Sequence, residues 1–130
     1  MKAVNYLHNC GICHRDLKLE NVLFKEKDTF EPKLIDFGLS TEFGDTRPLK
    51  SILGTPLYLA PEVLKAKYDH RCDIWALGIM MYFLLSGNAP FVGRNIKEVL
   101  KKIQTEQVSF KGESWDSVSQ SAQSLISSLL

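Results

Sequence analysis

The chain has 130 residues, of which 45% are hydrophobic, 10% aromatic and 24% charged, a balance that excludes a disordered, collagen-like or disulfide-scaffold polypeptide and suits one folded domain. Sixteen Lys and Arg against fifteen Asp and Glu give a net charge of +1, so no global field draws the chain to nucleic acid or to a membrane surface. Its longest apolar run, residues 74–85, is too short for a membrane span, which takes about 20 residues. Residues 1–9 carry Val4 and Leu7 on one face and read as the last turns of a helix stopped by Gly11. Met1-Lys2-Ala3-Val4-Asn5 has no apolar stretch after its lysine and so no signal-peptide pattern. With three cysteines, an odd count, the expected setting is reducing and the expected location cytoplasmic. A polar stretch, residues 14–21, leads into two strand-like runs, Val22-Leu23-Phe24 and Lys33-Leu34-Ile35, joined by a charged loop containing Asp28 and Pro32.

From residue 36 to 62 periodicity disappears, while Gly38, Gly44, Pro48, Gly54, Pro56 and Pro61 punctuate the chain. That is a long loop, and long loops inside compact domains are usually functional. Residues 73–86 are apolar nearly all round, which predicts a helix buried on most sides, started by Asp73 and ended by Gly87. Residues 95–106 place Ile96, Val99, Leu100 and Ile103 at amphipathic helical spacing. Ser117 and Gln120 fit a capping box, after which Val118, Ala122, Leu125, Ile126 and Leu129 line one helix face. This last helix runs to Leu130 without a capping residue, so both termini read as cut.

The informative stretch is His14-Arg15-Asp16-Leu17-Lys18-Leu19-Glu20-Asn21, followed by Asp36-Phe37-Gly38 and then by Ala60-Pro61-Glu62. In these three motifs, in this order, the sequence resembles the protein kinase superfamily. The resemblance implies transfer of the ATP γ-phosphate to a protein hydroxyl, chemistry that needs an in-line acceptor and cations on the phosphate oxygens. By that resemblance Asp16 matches the catalytic base, and Asn21 and Asp36 match the oxygen ligands of Mg²⁺. Lys18 is similar to the lysine that contacts the transferring phosphate in serine/threonine kinases. Thr55, within Gly54-Thr55-Pro56-Leu57-Tyr58, resembles the threonine that bonds Asp16 and Lys18 in that branch. Leu23 resembles the residue beneath the adenine ring, and His14 and Phe37 resemble part of the stacked spine of an active kinase. Asp73 looks like the buried aspartate that anchors the catalytic loop. Gly38 is expected where the chain turns sharply beside the metal, and Glu62 at the family's usual ion pair with a later arginine. Glu20 stands where it could contact ATP-site groups or a basic substrate residue.

Ser51 lies four positions before Thr55, where many kinases carry an activating phosphate paired with the arginine matching Arg15. The family's second basic partner is replaced by Thr41, which weakens such a pocket, so an ordinary surface serine is the expectation. Residues 65–78 and 115–130 look most like the calcium- and calmodulin-dependent group, and Phe83, where some basophilic kinases carry a glutamate, points the same way. Cys10-Gly11-Ile12-Cys13-His14, with His8 beside it, formally matches the C-x-x-C-H pattern of haem attachment and hints at a metal cluster. Haem attachment needs an export route. Zinc needs four converging ligands, but His14 belongs to the kinase motif and Cys72 and His70 have no paired C-x-x-C, so ordinary core cysteines are expected.

The fold that the resemblance implies is mainly α with a small β-hairpin. It is the C-terminal lobe of the kinase-like fold over residues 1–130, truncated at both ends, from the end of the family's helix E to the start of its helix H. No G-x-G-x-x-G occurs, and the thirteen residues before His14 leave no room for the phosphate-binding strand lysine and its glutamate partner. The expected function is therefore that of a serine/threonine protein kinase using ATP and Mg²⁺ on protein substrates. The 130-residue piece alone is expected to be inactive, and any calcium-sensor region is expected outside it. The rival reading is a non-catalytic lobe that docks partners through the long loop and the 95–106 helix. Intact Asp16, Asn21 and Asp36 favour the enzyme.

Overall fold

A computed structural model describes residues 1–26, 31–44 and 48–130. Asp28, which the sequence puts in the inter-strand loop, lies outside the described residues. The first helix, α1 (Lys2–Asn9), buries Val4 and ends at Cys10, with Gly11 following at a φ of +72°. Strand β1 (Ile12–Cys13) then enters the polar loop, which closes in a 3₁₀ turn at Leu19–Asn21 and leads into β2 (Val22–Phe24). Strand β3 (Pro32–Leu34) pairs antiparallel with β2, setting Leu23 opposite Lys33. The second strand thus runs one residue earlier than its sequence pattern predicts. Ile35 leaves the ladder, and its N–H donates to the Asn21 carbonyl at 3.0 Å. Strand β4 (Thr41–Glu42) pairs antiparallel with β1, so the segment read as a structureless loop is pinned early in its course. Leu49 and Tyr68 form a second bridge, and 3₁₀ turns at Pro56–Tyr58 and Val63–Lys65 carry the chain to the central helix.

That helix, α2 (Cys72–Ser86), has no polar face wide enough to orient it by amphipathicity, and it is surrounded instead as far as Phe83, while Leu84 and Leu85 near its end are 69% and 41% exposed. Trp75, Ala76, Ile79 and Met80 join Val4, Cys13, Leu17, Tyr58, Ala60 and Val63 in the main core. Farther along, Tyr82 packs with Trp115 at 4.6 Å between ring centroids and meets Ile126 in a second apolar cluster. The helix ends as the sequence predicts, at Gly87 in the left-handed region with φ +72°. Its start differs: α2 begins at Cys72 with no side-chain cap, because the Asp73 carboxylate is used elsewhere. Helix α3 (Ile96–Thr105) is capped by Asn95, whose side chain accepts the Glu98 N–H at 3.0 Å, and it buries Val99 and Ile103.

A 3₁₀ turn at Glu113–Trp115 precedes α4 (Gln120–Leu129). The cap of α4 is Ser119, which accepts the Ala122 N–H at 3.3 Å, and not Ser117. Residues 115–118 still follow the preceding turn, since Val118 N–H donates to the Trp115 carbonyl, so Ser117 lies too early to cap. Ile126 is fully buried while Leu125, expected on the same face, is 42% exposed. Helix α4 crosses α2 at Gly78, where a Cβ would fall 2.7 Å from Leu130 Cδ2 and 2.9 Å from Leu129 Cβ. Glycine is needed there for close approach. Among the described residues no helix is long and apolar enough to cross a membrane.

Candidate active site

The polar loop at residues 14–21 is suspended between β1 and the start of α2. Asp73, 1% exposed, reaches across from α2 and holds the loop's backbone. Its Oδ2 accepts the His14 N–H at 2.8 Å and its Oδ1 accepts the Arg15 N–H at 2.9 Å. Arg15 has a φ of +66°, a conformation costly for a residue with a Cβ, and the bond from its own N–H to Asp73 helps hold it there. Arg15 Nε donates to the Leu39 carbonyl at 2.6 Å, which ties the loop to the segment after Gly38. His14 is fully buried, with its ring 5.0 Å from that of Phe37 and its Nε2 3.3 Å from the Ile35 carbonyl.

Held this way, the loop presents Asp16, only 9% exposed, inside a set of donors. Lys18 Nζ donates to Asp16 Oδ2 at 2.8 Å. Thr55 donates to Asp16 Oδ1 twice, from its backbone N–H at 3.0 Å and its hydroxyl at 2.9 Å, and the same hydroxyl oxygen accepts from Lys18 Nζ at 3.0 Å. Gly54 makes this approach possible. Its φ is +115°, and a Cβ there would lie 2.8 Å from the Arg15 carbonyl. Asn21 Nδ2 donates to the Asp16 carbonyl at 2.9 Å. Burial pushes the Asp16 carboxyl up, but the Lys18 and Thr55 hydrogen bonds outweigh it and hold the group below the usual carboxylate range. The Asp16 carboxylate in turn raises Lys18, with smaller contributions from Glu20 and Asp36. The result is an ionised carboxylate beside a firmly charged ammonium.

Asp36 stands at the edge of this group, exposed, with φ +61° and with Oδ1 accepting the Gly38 N–H at 3.2 Å. The sharp turn expected at Gly38 is taken by Asp36 instead. A Cβ on Gly38 would sit 3.1 Å from Asp36 Oδ1, so that glycine serves close packing against the carboxylate. Leu23 and Phe37 lie near the loop with 51% and 48% of their surface exposed. Asp16, Lys18, Asn21 and Thr55 are brought together, whereas Arg15 and Ser51 are not joined by a hydrogen bond. Arg15 turns to Leu39, and the exposed Ser51 offers its carbonyl to the Tyr68 hydroxyl at 2.7 Å. Glu62 lines a cavity of about 740 Å³ together with Arg71 and Trp75. The buried Trp75 Nε1 has no partner there among the described residues.

The fold also supplies contacts that sequence patterns do not mark. His8 Nε2 lies 2.9 Å from Asp73 Oδ2, and the Ser40 hydroxyl donates to the His14 carbonyl at 3.3 Å. Sixty-five residues separate His8 from Asp73, so no local spacing could signal the contact. The C-x-x-C-H run does not converge: Cys10 is exposed, Cys13 is buried against Cys72, and His14 Nε2 faces Ile35.

The profile of the protein kinase domain family matches residues 1–130. Calcium-dependent protein kinase 5 of Plasmodium falciparum is 45% identical over 125 residues, covering 95% of this chain and 22% of that protein. Calcium-dependent protein kinase 3 of Plasmodium berghei is 44% identical over 126 residues, 95% of this chain and 23% of the relative. Calcium-dependent protein kinase 4 of the same organism is 42% identical over 132 residues, all of this chain and 25% of the relative. The chain thus spans about a quarter of the length of the curated relatives it matches. With its motifs in order and its whole length matched by the family profile, the chain belongs to the protein kinase family and is similar to its calcium-dependent group.

Proposed function

We propose that residues 1–130 are the larger, C-terminal lobe of a serine/threonine protein kinase, which transfers the γ-phosphate of ATP to protein hydroxyls. The observation that carries this reading is the Asp16 carboxylate, ionised and fixed by Lys18 and by both donors of Thr55. A carboxylate held below its usual range is a weak base in the ground state. Its task is therefore to accept a hydrogen bond from the substrate hydroxyl and align it, taking the proton late, as the bond to phosphorus forms. Lys18 keeps Asp16 ionised and presents positive charge where charge on the transferred group builds up. Thr55 connects the two, and a lysine–threonine pair at these positions is the serine/threonine pattern.

The donor set fits Mg²⁺. Asn21 commits its Nδ2 to the Asp16 carbonyl, and among the described residues its Oδ1 accepts no hydrogen bond. Asp36 offers an exposed carboxylate whose only donor among the described residues is the Gly38 N–H. One carboxylate and one amide oxygen suit an ion that takes few protein ligands and completes its shell with phosphate oxygens and water. When bound, Mg²⁺ neutralises charge on the phosphates. Leu23, Phe24 and Phe37 expose apolar surface beside these donors, which suits an adenine ring and a covering lobe contributed from outside residues 1–130. A calcium-responsive region likewise belongs outside these residues, and the setting is cytoplasmic. Ser51 is an ordinary surface serine in this account.

The test is Mg-ATP-dependent phosphorylation of peptide libraries by the complete kinase, with phosphoamino-acid analysis of the products. Phosphoserine and phosphothreonine are expected, and phosphotyrosine as the main product would overturn the assignment. Residues 1–130 alone are expected to give no transfer above that of the same piece carrying Asp36→Ala.

A further inference from the structure

The segment that delivers Thr55 to Asp16 is held a second time, upstream, by Tyr68. This side chain is 4% exposed and comes from the stretch between the Val63–Lys65 turn and α2. Its backbone exchanges two hydrogen bonds with Leu49. The Leu49 N–H donates to the Tyr68 carbonyl at 2.8 Å, and the Tyr68 N–H donates to the Leu49 carbonyl at 3.2 Å. Its hydroxyl donates to the Ser51 carbonyl at 2.7 Å. Four residues on, Thr55 is fixed to Asp16 by its N–H and its hydroxyl. Residues 52–54 are therefore strung between two anchors, and the second is reached only through the first.

Arg15 stands between these anchors. It precedes Asp16, its Nε donates to the Leu39 carbonyl at 2.6 Å, and its guanidinium lies beside the Tyr68 hydroxyl. A positive charge there polarises the hydroxyl and strengthens it as a donor to Ser51. Burial raises the Tyr68 pKa and the guanidinium only opposes it, so the hydroxyl keeps the proton it donates. Arg15, Leu53, Thr55 and Tyr68 line a cavity of only about 20 Å³, room for about one water. Segment and catalytic loop are thus already closed on each other, with no phosphate to draw them together. A phosphate on Ser51 would be poorly served: Arg15 is occupied by the Leu39 carbonyl, and threonine at position 41 offers no second cation.

We infer that Tyr68 is a positioning residue for phosphotransfer: its hydroxyl bond to Ser51 seats the segment that carries Thr55, so transfer proceeds without a phosphate on Ser51. The inference rests on the kinase reading and deepens it. Tyr68 acts through the backbone of residues 49–51 and through Thr55 on Asp16, not on the reacting atoms.

The experiment compares the dephosphorylated complete kinase with its Ser51→Ala and Tyr68→Phe variants. Mg-ATP-dependent phosphorylation of a serine peptide is one readout, and residue-resolved amide hydrogen exchange is the other. Ser51→Ala is expected to stay within about twofold of wild type, as an exposed serine should. Tyr68→Phe removes one hydrogen bond and should lower kcat about 3–10-fold with KM for ATP unchanged. Exchange over residues 48–55 should rise by a similar factor while α2 and α4 keep their wild-type rates. A side chain that merely filled the core would loosen α2 as well. In the wild type itself the Leu49 and Tyr68 amides should be protected, a readout that no variant's folding can obscure. Wild-type kcat and wild-type exchange in Tyr68→Phe would overturn the inference. So would unprotected Leu49 and Tyr68 amides, or loss of most transfer on dephosphorylation or in Ser51→Ala. If no form transferred phosphate, the kinase reading would fall, and the exchange comparison would still decide for or against the Tyr68 anchor.

Discussion

Replacing Asp73 with alanine is the sharpest perturbation of the fold that carries the site. The carboxylate is almost completely buried and accepts the His14 N–H at 2.8 Å and the Arg15 N–H at 2.9 Å, with His8 Nε2 at 2.9 Å. Alanine leaves the two backbone donors without an acceptor and frees Arg15 from one restraint on its left-handed φ. A hydrogen bond to a charged acceptor contributes about 1.5–3 kcal/mol, so the two backbone bonds together give about 3–6 kcal/mol. Removing a buried charge also relieves its desolvation cost, which places the expected loss near the lower end, about 3 kcal/mol. Against a domain stability of about 5–15 kcal/mol, that is a large fraction. Urea denaturation followed by tryptophan fluorescence reads it directly. With a slope of about 1–3 kcal/mol per molar urea, the midpoint should fall by roughly 1–3 M. Asp73→Asn, which keeps one acceptor oxygen, should fall between wild type and alanine. A loss below about 1 kcal/mol for Asp73→Ala would refute the claim that this side chain suspends the loop.

The remaining expectations concern separate parts of the molecule. Thr55→Val removes a hydroxyl donor from Asp16 while preserving shape and the backbone bond. A carboxylate depressed in the folded state adds stability above its unfolded pKa and loses it as pH falls through the folded one, so the weakened depression should move the acid limb of the pH–activity profile to higher pH. An unmoved limb would contradict the role given to Thr55. Gly78→Ala puts a methyl group 2.7 Å from Leu130 Cδ2 and should cost about 1–3 kcal/mol by overpacking where α2 and α4 cross. A thermal melt coincident with wild type would show that the crossing relaxes freely.

Much of the site was legible because it is local. Asp16, Lys18 and Asn21 fall within six consecutive residues, so motif spacing alone groups them. The α2 helix could be delimited by its apolar run and Gly87 although it has no amphipathic face. Asp73 shows the boundary of such reading. Its position at a helix start suggests a cap, and only the family resemblance, not the local pattern, suggested the anchoring use that its contacts with His14 and Arg15 display. His8 and the Cys13–Cys72 contact were invisible for a related reason: their partners lie about sixty residues away, brought in by packing around α2. Ser117 and Gln120 matched a capping box in spacing, but the 3₁₀ turn at Glu113–Trp115 shifted the helix start to Ser119. The left-handed φ of Asp36, rather than of Gly38, is likewise set by tertiary contacts that a glycine-based reading does not see.

The most direct measurement compares the complete kinase with its Asp16→Asn variant in single-turnover phosphorylation of a serine peptide, with ATP affinity measured in parallel. Loss of a positioned general base lowers rates by about 10²–10⁴-fold. The account predicts a fall of that size in the transfer rate with ATP affinity little changed. Undiminished transfer by Asp16→Asn would contradict it.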